Sequence, residues 1–137
     1  MKVFIVHSAR DKKAVQLIEN LVSEIKPFEP LVLENKKPAG TIFDKFIKNA
    51  EQCQKAIVIY SGRDMGGPNA KNLKKRAREN VVLELGYFIG RVGIDNTLIL
   101  LSKNIKRKDF PSDLGGVEVV PLKVKNLDTK IKQFLEQ

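Results

Sequence analysis

Short apolar runs and amphipathic helical patterns alternate along the whole chain. The runs are rich in β-branched residues, as in KVFIVH and KAIVIY, and such runs are typical of buried strands. Between them, apolar residues recur at intervals of three and four positions, which predicts helices with one buried face. The predicted strands cover residues 2–7, 29–34, 55–60, 96–102 and 117–122, and the predicted helices cover residues 11–26, 41–52, 77–92 and 126–136.

The order of these elements is βαβαβαββα, which predicts a single α/β domain over residues 1–137. Strands that are apolar throughout are typical of a parallel sheet covered on both faces, and helical crossovers between successive strands indicate the same arrangement. We therefore expect a doubly wound, flavodoxin-like five-stranded parallel sheet with strand order 2-1-3-4-5. Residues 61–75 form a predicted long polar loop, and the connection 103–116 contains no clear helix.

Composition narrows the chemistry that this domain can carry. Cys53 and His7 are the only cysteine and histidine, which excludes an internal disulfide and a Cys- or His-rich metal site, so no metal is expected. No apolar run approaches the roughly 18 residues of a membrane span. The amino terminus enters the first predicted strand without a leader, and we therefore expect a cytoplasmic protein with no membrane partner.

The net charge is +9, from 25 Lys and Arg against 16 Asp and Glu. The basic residues concentrate in 71–78 and 103–108, without interleaved aromatic residues that could stack on bases. Nucleic acid is therefore not an expected partner. Two interpretations of the charge stay open: a solvated basic surface, or attraction of an anionic ligand such as a dinucleotide.

A ligand crevice is expected at the carboxyl end of the sheet, between the first and third strands, where the strand order reverses. The polar side chains that follow these two strands are candidates for ligand binding: His7, Ser8, Arg10, Asp11, Ser61, Arg63 and Asp64. A structural interpretation stands beside this one. Ser8 and Asp11 have the spacing of a capping box for the first helix, and His7 can simply pack or form hydrogen bonds at its strand end.

Several common nucleotide-binding and hydrolase motifs are missing from the sequence. The lack of G-x-G-x-x-G disfavours a Rossmann dehydrogenase, and the lack of G-x-x-x-x-G-K-[ST] excludes a P-loop NTPase. The lack of G-x-S-x-G, together with the single histidine, disfavours a hydrolase with a catalytic triad.

Glu84 is the only charged residue in the apolar stretch 81–90. At helical spacing it shares a stripe with Asn80, Tyr87 and Arg91, beside the stripe that would form the core. A carboxylate framed by apolar neighbours is costly unless it is paired or used in chemistry. Two interpretations therefore stay open: an ion pair with Arg91 or a basic loop residue, and a functional carboxylate.

Three glycines lie in the same predicted helix or directly after it. Gly86, Gly90 and Gly93 recur at intervals of four and three residues. Because glycine costs about 1 kcal/mol relative to alanine in a helix, this spacing indicates close backbone packing, either on the sheet or on a neighbouring protomer.

Three segments carry a resemblance to bacterial TIR domains. They are VFIVHSARD, KKPAGTIFDKF and RARENVVLELGYFIGRVG, the last of which is followed by FPSDLGGVEVVPL. With these segments the chain resembles, over residues 3–122, the TIR-like nucleotide-binding family of effectors in cyclic-nucleotide anti-phage defence, as in TIR-STING proteins. Family members usually carry a sensor module. No sensor domain is expected in this chain, so the resemblance implies a cyclic-nucleotide sensor in cis or in trans.

The resemblance implies a TIR-type NAD⁺ glycohydrolase, which cleaves the bond between nicotinamide and ribose, with NAD⁺ as substrate and no cofactor. The catalytic glutamate of the family falls on Glu84. The family's flexible loop falls on residues 35–41, where it would shape the cleft and take part in homotypic, head-to-tail TIR assembly. Arg10 is then a candidate contact for the pyrophosphate. The remaining candidate contacts for the dinucleotide are Thr41, Asn80 and Tyr87, and Tyr87 is alternatively a core residue.

Two further interpretations stay open. One is a non-catalytic TIR interaction domain, in which Glu84 forms a structural ion pair and residues 35–41 form a docking surface. The other is an enzyme like the nucleoside deoxyribosyltransferases, which share the fold, although the matched helix is that of TIR domains. An unpaired carboxylate that faces an open cleft would favour the enzyme. Because free NADase activity would drain a cell of NAD⁺, we expect that activity to depend on oligomerisation.

Overall fold

The computed structural model of this chain describes residues 1–34 and 42–137. Five strands form one parallel sheet: β1 (Lys2–Val6), β2 (Glu29–Leu31), β3 (Cys53–Tyr60), β6 (Thr97–Leu101) and β7 (Glu118–Pro121). Their order in the sheet is β2-β1-β3-β6-β7, which is order 2-1-3-4-5 when only the strands of this sheet are counted. The expected doubly wound, flavodoxin-like architecture is confirmed.

Four α-helices in the described residues cover this sheet, two on each face. They are α1 (Lys12–Ser23), α2 (Ile42–Ala50), α3 (Glu79–Val92) and α4 (Leu127–Glu136). Helices α1 and α4 share one face, and α2 and α3 share the other. The connections therefore wind in both senses around the sheet, which opens a crevice at its carboxyl edge.

The two faces have separate apolar cores because successive strand residues point to opposite sides of a sheet. Ile57 and Ile59 of β3 are buried with α1 and α4, whereas Ala56 and Val58 are buried with α2 and α3. Burial on both faces explains why β3 is a continuous apolar run in the sequence.

Aromatic rings hold α2 and α3 on their face of the sheet. Phe4 of β1, Phe46 of α2 and Phe88 of α3 pack together with ring centroids 5.0 to 5.8 Å apart. None of the three is more than 3% exposed. Aromatic pairs contribute about 0.5–1.5 kcal/mol beyond the burial of their area, so this cluster fixes the relative positions of the two helices.

Residues 61–75 were expected to form a long polar loop, but the structure has an antiparallel hairpin over most of this segment. Strand β4 (Asp64–Gly66) pairs with β5 (Lys74–Arg76). All three residues of β5 are exposed, so this strand lacks the apolar alternation by which a sequence predicts a strand. Gly67 is required at the turn, because a Cβ there would collide with the carbonyl oxygen of Asn72.

Gly86 and Gly90 do not pack against the sheet. No described atom outside the backbone of α3 lies within 4 Å of a Cβ built on either glycine. The expected packing on the sheet is therefore wrong, because the core side of α3 is the stripe that contains Val81 and Leu85. Packing on a neighbouring protomer stays a prediction. Gly93 lies past the end of α3 with φ of 88°, which glycine adopts at little cost.

Two other features of the chain follow its sequence. The connection 103–116 contains no α-helix, but only the short 3₁₀ turns Arg107–Asp109 and Ser112–Leu114. Nowhere in residues 1–34 and 42–137 is a helix both long enough and apolar enough to cross a bilayer.

Candidate active site

A cavity of about 490 Å³ opens at the carboxyl end of β1, against α2 and the amino-terminal half of α3. Its apolar walls are formed by Phe4, Ile5, Leu33, Phe43, Phe46, Val81 and Leu83. The polar and charged residues of its lining are His7, Ser8, Glu34, Lys45, Arg78, Asn80 and Glu84. An apolar cleft with a few polar groups is the usual composition of a small-molecule site.

Glu84 is half-buried on α3, in the wall of this cavity. Across the described part of the chain, its carboxylate has no hydrogen bond and no ion pair. Arg91, the alternative partner, instead donates to the backbone carbonyl oxygen of Glu51 at 3.1 Å. Burial raises the pKa of Glu84 from 4.5 to about 7, because removal from water penalises the charged form.

His7 connects the turn after β1 to the segment after β2. Its Nδ1 lies 2.9 Å from the carbonyl oxygen of Ser8, and its Nε2 lies 3.3 Å from that of Leu33. A neutral imidazole has one N–H and can donate to only one of these oxygens. These contacts fit the structural interpretation of His7, whose ring also lines the cavity.

Asp11 does not form the expected capping box with Ser8. Helix α1 begins at Lys12, and no side chain caps its amides. The Asp11 carboxylate instead accepts from Ser61 Oγ at 2.5 Å and from Nε and Nη2 of Arg63 at 2.9 and 2.7 Å. The capping box is wrong because hydrogen bonds from a guanidinium stabilise a buried carboxylate more than one neutral amide does.

The Asp11–Arg63 ion pair ties the turn after β1 to the turn after β3, and it lies beside a second cavity of about 760 Å³. Among the described lining residues, Ala9 alone belongs to both cavities. The second cavity is strongly basic, since Asp11 is the only acidic residue in its described lining. Its cationic residues are Arg10, Lys12, Lys13, Arg63, Lys103 and Lys123.

The residues predicted to bind the dinucleotide are divided between these cavities. His7, Ser8 and Asn80 share the first cavity with Glu84. Four other candidates that follow the first and third strands line the second cavity. They are Arg10, Asp11, Ser61 and Arg63. A ligand in contact with both groups would have to cross the turn at Ala9, and the binding roles of these residues stay predictions.

Three predicted residues lie elsewhere. Asp64 is in β4 and lines neither cavity. Tyr87 also lines neither, and its ring packs on Phe46 with centroids 5.2 Å apart, as its alternative core role requires. Thr41 and the rest of the predicted loop 35–41 lie outside the described residues.

The sequence interpretation missed several lining residues. Leu83 is 55% exposed and lies outside the buried stripe of α3. An apolar residue on the polar face of a predicted helix was the sequence signal for this part of the cavity. Phe43 belongs to the apolar pattern of the predicted helix 41–52, which indicates a buried face, but it is 47% exposed. Arg78 is part of the basic run 71–78, for which a solvated surface and attraction of an anionic ligand were both open, and Lys45 carried no signal.

A flavodoxin-like sheet of five strands with a cleft at its carboxyl edge is the architecture expected of a TIR domain, and other enzymes share it. The family model described as "CAP12/Pycsar effector protein, TIR domain" matches residues 2–124. The chain belongs to this family. The resemblance to TIR effectors of cyclic-nucleotide anti-phage defence is thereby confirmed.

Three relatives show how far the similarity extends. YuaY, an uncharacterised protein of Escherichia coli (strain K12), is 37% identical over 117 residues, which cover 85% of this chain and 38% of YuaY. The Pycsar effector protein BcPycTIR of Burkholderia cepacia is 30% identical over 126 residues, which cover 88% and 40%. Protein tirC of Dictyostelium discoideum is 34% identical over 135 residues, which cover 85% and 61%. The chain thus spans less than two thirds of each relative.

Among solved structures, the chain is similar to the CMP N-glycosidase BcmB of Clostridium botulinum. The TM-score is 0.58, the sequence identity is 14%, and the match covers 99% of this chain and 98% of that one. At this identity the likeness shows a shared fold and nothing about shared site residues.

Replacement of Glu84 should stabilise the protein at alkaline pH. The pKa of Glu84 is about 7 in the folded chain and 4.5 in the unfolded chain. Between these two pH values the folded chain holds a proton that the unfolded chain has released, so the free energy of unfolding of the wild type decreases as the pH rises. We expect Glu84→Gln to raise Tm by roughly 2–8 °C at pH 8 and to leave it nearly unchanged at pH 4. Thermal melts across this range test the prediction, with the exposed Glu136→Gln as control. A Glu84→Gln protein that melts below wild type at pH 8 would contradict it.

Proposed function

We propose that this chain is a TIR-type glycohydrolase that cleaves the nicotinamide–ribose bond of NAD⁺ to give nicotinamide and linear or cyclic ADP-ribose. The observation that carries the proposal is the Glu84 carboxylate, which lines an apolar cavity and has no partner among the described residues. The family of Pycsar effector TIR domains supports it. The reaction class also agrees with that of BcmB, a protein of the same fold that is named as an N-glycosidase.

NAD⁺ cleavage suits a site with one available carboxylate. Most glycosidases pair an acid with a base, but the nicotinamide ring is cationic in NAD⁺ and leaves as a neutral molecule, so no general acid is required. The bond from C1′ to the ring nitrogen breaks, and its electron pair passes to that nitrogen. Glu84 stabilises the oxocarbenium ion that develops. Water then forms the new C1′–O bond and releases a proton.

The apolar walls strengthen the electrostatic contribution of Glu84. Phe43, Phe46 and Leu83 line the same cavity as its carboxylate, and a bound substrate would displace water from between them. Opposite charges attract more strongly as the effective dielectric constant falls. The desolvation that raises the pKa of Glu84 therefore also increases its effect on a developing positive charge.

The non-catalytic interaction domain is the second candidate function. It requires a structural ion pair at Glu84, and no such pair exists within residues 1–34 and 42–137. An unpaired carboxylate in an open cleft is the feature by which the sequence interpretation separated the two functions, and it favours the enzyme.

Loss of the Glu84 charge should abolish cleavage without unfolding the domain. Glu84→Gln keeps the side-chain volume but removes the group that stabilises the oxocarbenium ion, so we expect NAD⁺ consumption to fall by about 100- to 1,000-fold. The assay uses artificially clustered protein and measures nicotinamide release. Glu79→Gln, an exposed carboxylate on the first turn of α3, is the matched control. A Glu84→Gln rate within a few-fold of wild type would show that the assignment is wrong.

Activity should rise with pH as Glu84 ionises. For the free enzyme, kcat/KM should increase towards a plateau above about pH 7, the pKa of Glu84. The acid limb of the kcat profile should lie at lower pH than that of kcat/KM, because a bound nicotinamide cation favours the charged form of Glu84. The other charged or titratable residues in the described cavity lining are His7, Glu34, Lys45 and Arg78.

The pH–rate profiles of wild type and His7→Asn test this assignment. The acid limb should persist in His7→Asn. A limb that disappears in that variant belongs to His7, and a flat wild-type profile between about pH 5.5 and about pH 8.5 contradicts the role of an ionising Glu84.

We further propose that TIR–TIR assembly increases the activity, with a cyclic-nucleotide sensor in cis or in trans as the scaffold. Phe43 and Leu83 line the cavity yet are 47% and 55% exposed, so a neighbouring protomer could cover apolar surface at the mouth. The net charge of +9 opposes self-association in dilute solution. A lone protomer would then hold the competent arrangement as a minor population, which lowers its apparent activity by that fraction.

Specific activity should therefore depend on protein concentration. Activity per molecule should be low for dilute protomers and should rise when the chain is fused to an oligomerising partner. The measurement is NAD⁺ turnover per molecule over a dilution series, with and without the partner. Activity per molecule that stays constant over the whole series would exclude control by assembly.

A further inference from the structure

One of the cations that line the Glu84 cavity has no partner among the described residues. Lys45 and Arg78 are the two cations in its described lining. Arg78 immediately precedes α3, and its guanidinium has no hydrogen bond and no ion pair to any described residue. The adjacent carboxylate of Glu79 lies 3.8 Å from the guanidinium of Arg76 instead. Arg78 thus offers the cavity a planar, multiply donating cation that no described side chain neutralises.

The backbone beside Arg78 adds to this positive end of the cavity. The first hydrogen bond of α3 runs from the amide of Val82 to the carbonyl oxygen of Arg78 at 3.1 Å, and no side chain caps the helix. The preceding amides of the first turn therefore have no acceptor within the helix. Asn80 and Val81, which belong to that turn, line the cavity.

Glu84 lies six residues after Arg78, which corresponds to about 9 Å along a helix axis. An arginine side chain is long enough to cover part of that distance. The lining of this cavity therefore combines a cationic group at the start of α3 with a carboxylate further along the same helix. A ribose nucleotide has the complementary arrangement, since its 5′-phosphate is an anion and its C1′ becomes cationic when the glycosidic bond breaks.

We propose that Arg78 binds the 5′-phosphate of the same ribose whose glycosidic bond is cleaved beside Glu84, and that the site thereby selects nucleotides over nucleosides. The proposal rests on the proposed glycohydrolase function and adds a specificity-determining residue to it. It also differs from the expected phosphate contact at Arg10, because Arg10 lines the other cavity. An arginine suits this task better than Lys45, since a guanidinium can donate two parallel hydrogen bonds to a phosphate.

The test compares substrates that differ only in the phosphate. Clustered wild type, Arg78→Gln and Arg76→Gln are assayed with nicotinamide mononucleotide and nicotinamide riboside. Arg76 is the control, since it is an arginine two positions earlier that lines neither cavity. We expect Arg78→Gln to lower kcat/KM for the mononucleotide by about 10- to 100-fold, the loss of one hydrogen-bonded charge contact, and to change the riboside rate by less than about 3-fold. Arg76→Gln should affect neither substrate. Equal losses on both substrates, or no loss, would overturn the proposal.

A binding measurement separates this proposal from the catalytic one. Calorimetric titration of Glu84→Gln and of the double variant Glu84→Gln/Arg78→Gln with the mononucleotide and the riboside requires no turnover. We expect the mononucleotide to bind more tightly than the riboside to Glu84→Gln, and this difference to disappear in the double variant. Clustered wild type that cleaves neither these two substrates nor NAD⁺, with this binding pattern intact, would refute the glycohydrolase function but not the phosphate contact. Equal affinities in both proteins, or no binding of the mononucleotide, would refute the phosphate contact.

Discussion

The packing of α3 on the sheet is the constraint on which the candidate site depends. Leu85 and Phe88 are at most 1% exposed, and burial of each such side chain contributes about 1.5–3 kcal/mol. Successive residues of a helix are about 100° apart, so burial of Leu85 holds its neighbour Glu84 at the border between core and cavity. The apolar stripe therefore offsets the cost of a partly desolvated carboxylate and holds that carboxylate in the wall of the cavity.

The ion pair between Asp11 and Arg63 has a different consequence, because it fixes the turn that lies between the two cavities. The first cavity is lined by two acidic residues, Glu34 and Glu84, and two cationic ones, Lys45 and Arg78. In the second cavity, every charged residue of the described lining except Asp11 is cationic. An excess of positive charge thus lies next to the site. A basic region beside a cleft raises the local concentration of anionic molecules, so a dinucleotide could be attracted to this edge of the sheet without the second cavity contributing to the reaction.

The order of the elements and the position of Glu84 on a helix edge could be predicted because both follow from local periodicity, and the strand order followed from the usual topology of a doubly wound sheet. Apolar runs identified every strand of the main sheet, and the isolated charge at Glu84 identified the residue that proved to be half-buried in a cleft. The partner of Asp11 could not be predicted, because Arg63 lies 52 residues away along the chain. Only the folded sheet brings its guanidinium close enough to bind the Asp11 carboxylate in place of the nearby helix amides. Nor does periodicity show on which side of the turn after β1 each residue lies. The sequence therefore placed Arg10 and His7 in one ligand site, although they line different cavities.

The raised pKa of Glu84 connects the desolvation of the site to the chemistry proposed for it. At a pKa of about 7, the protonated and charged forms are nearly equally populated near neutral pH, so a neutral ligand gains little from the carboxylate. A cationic nicotinamide ring in the same low-dielectric cavity shifts that balance towards the charged form, and the substrate thereby ionises the group that would cleave it. Once the bond has broken, the leaving base is neutral and the positive charge beside Glu84 is gone, so that attraction is lost. The same burial would therefore favour the cationic nicotinamide ring on entry and the departure of the neutral base.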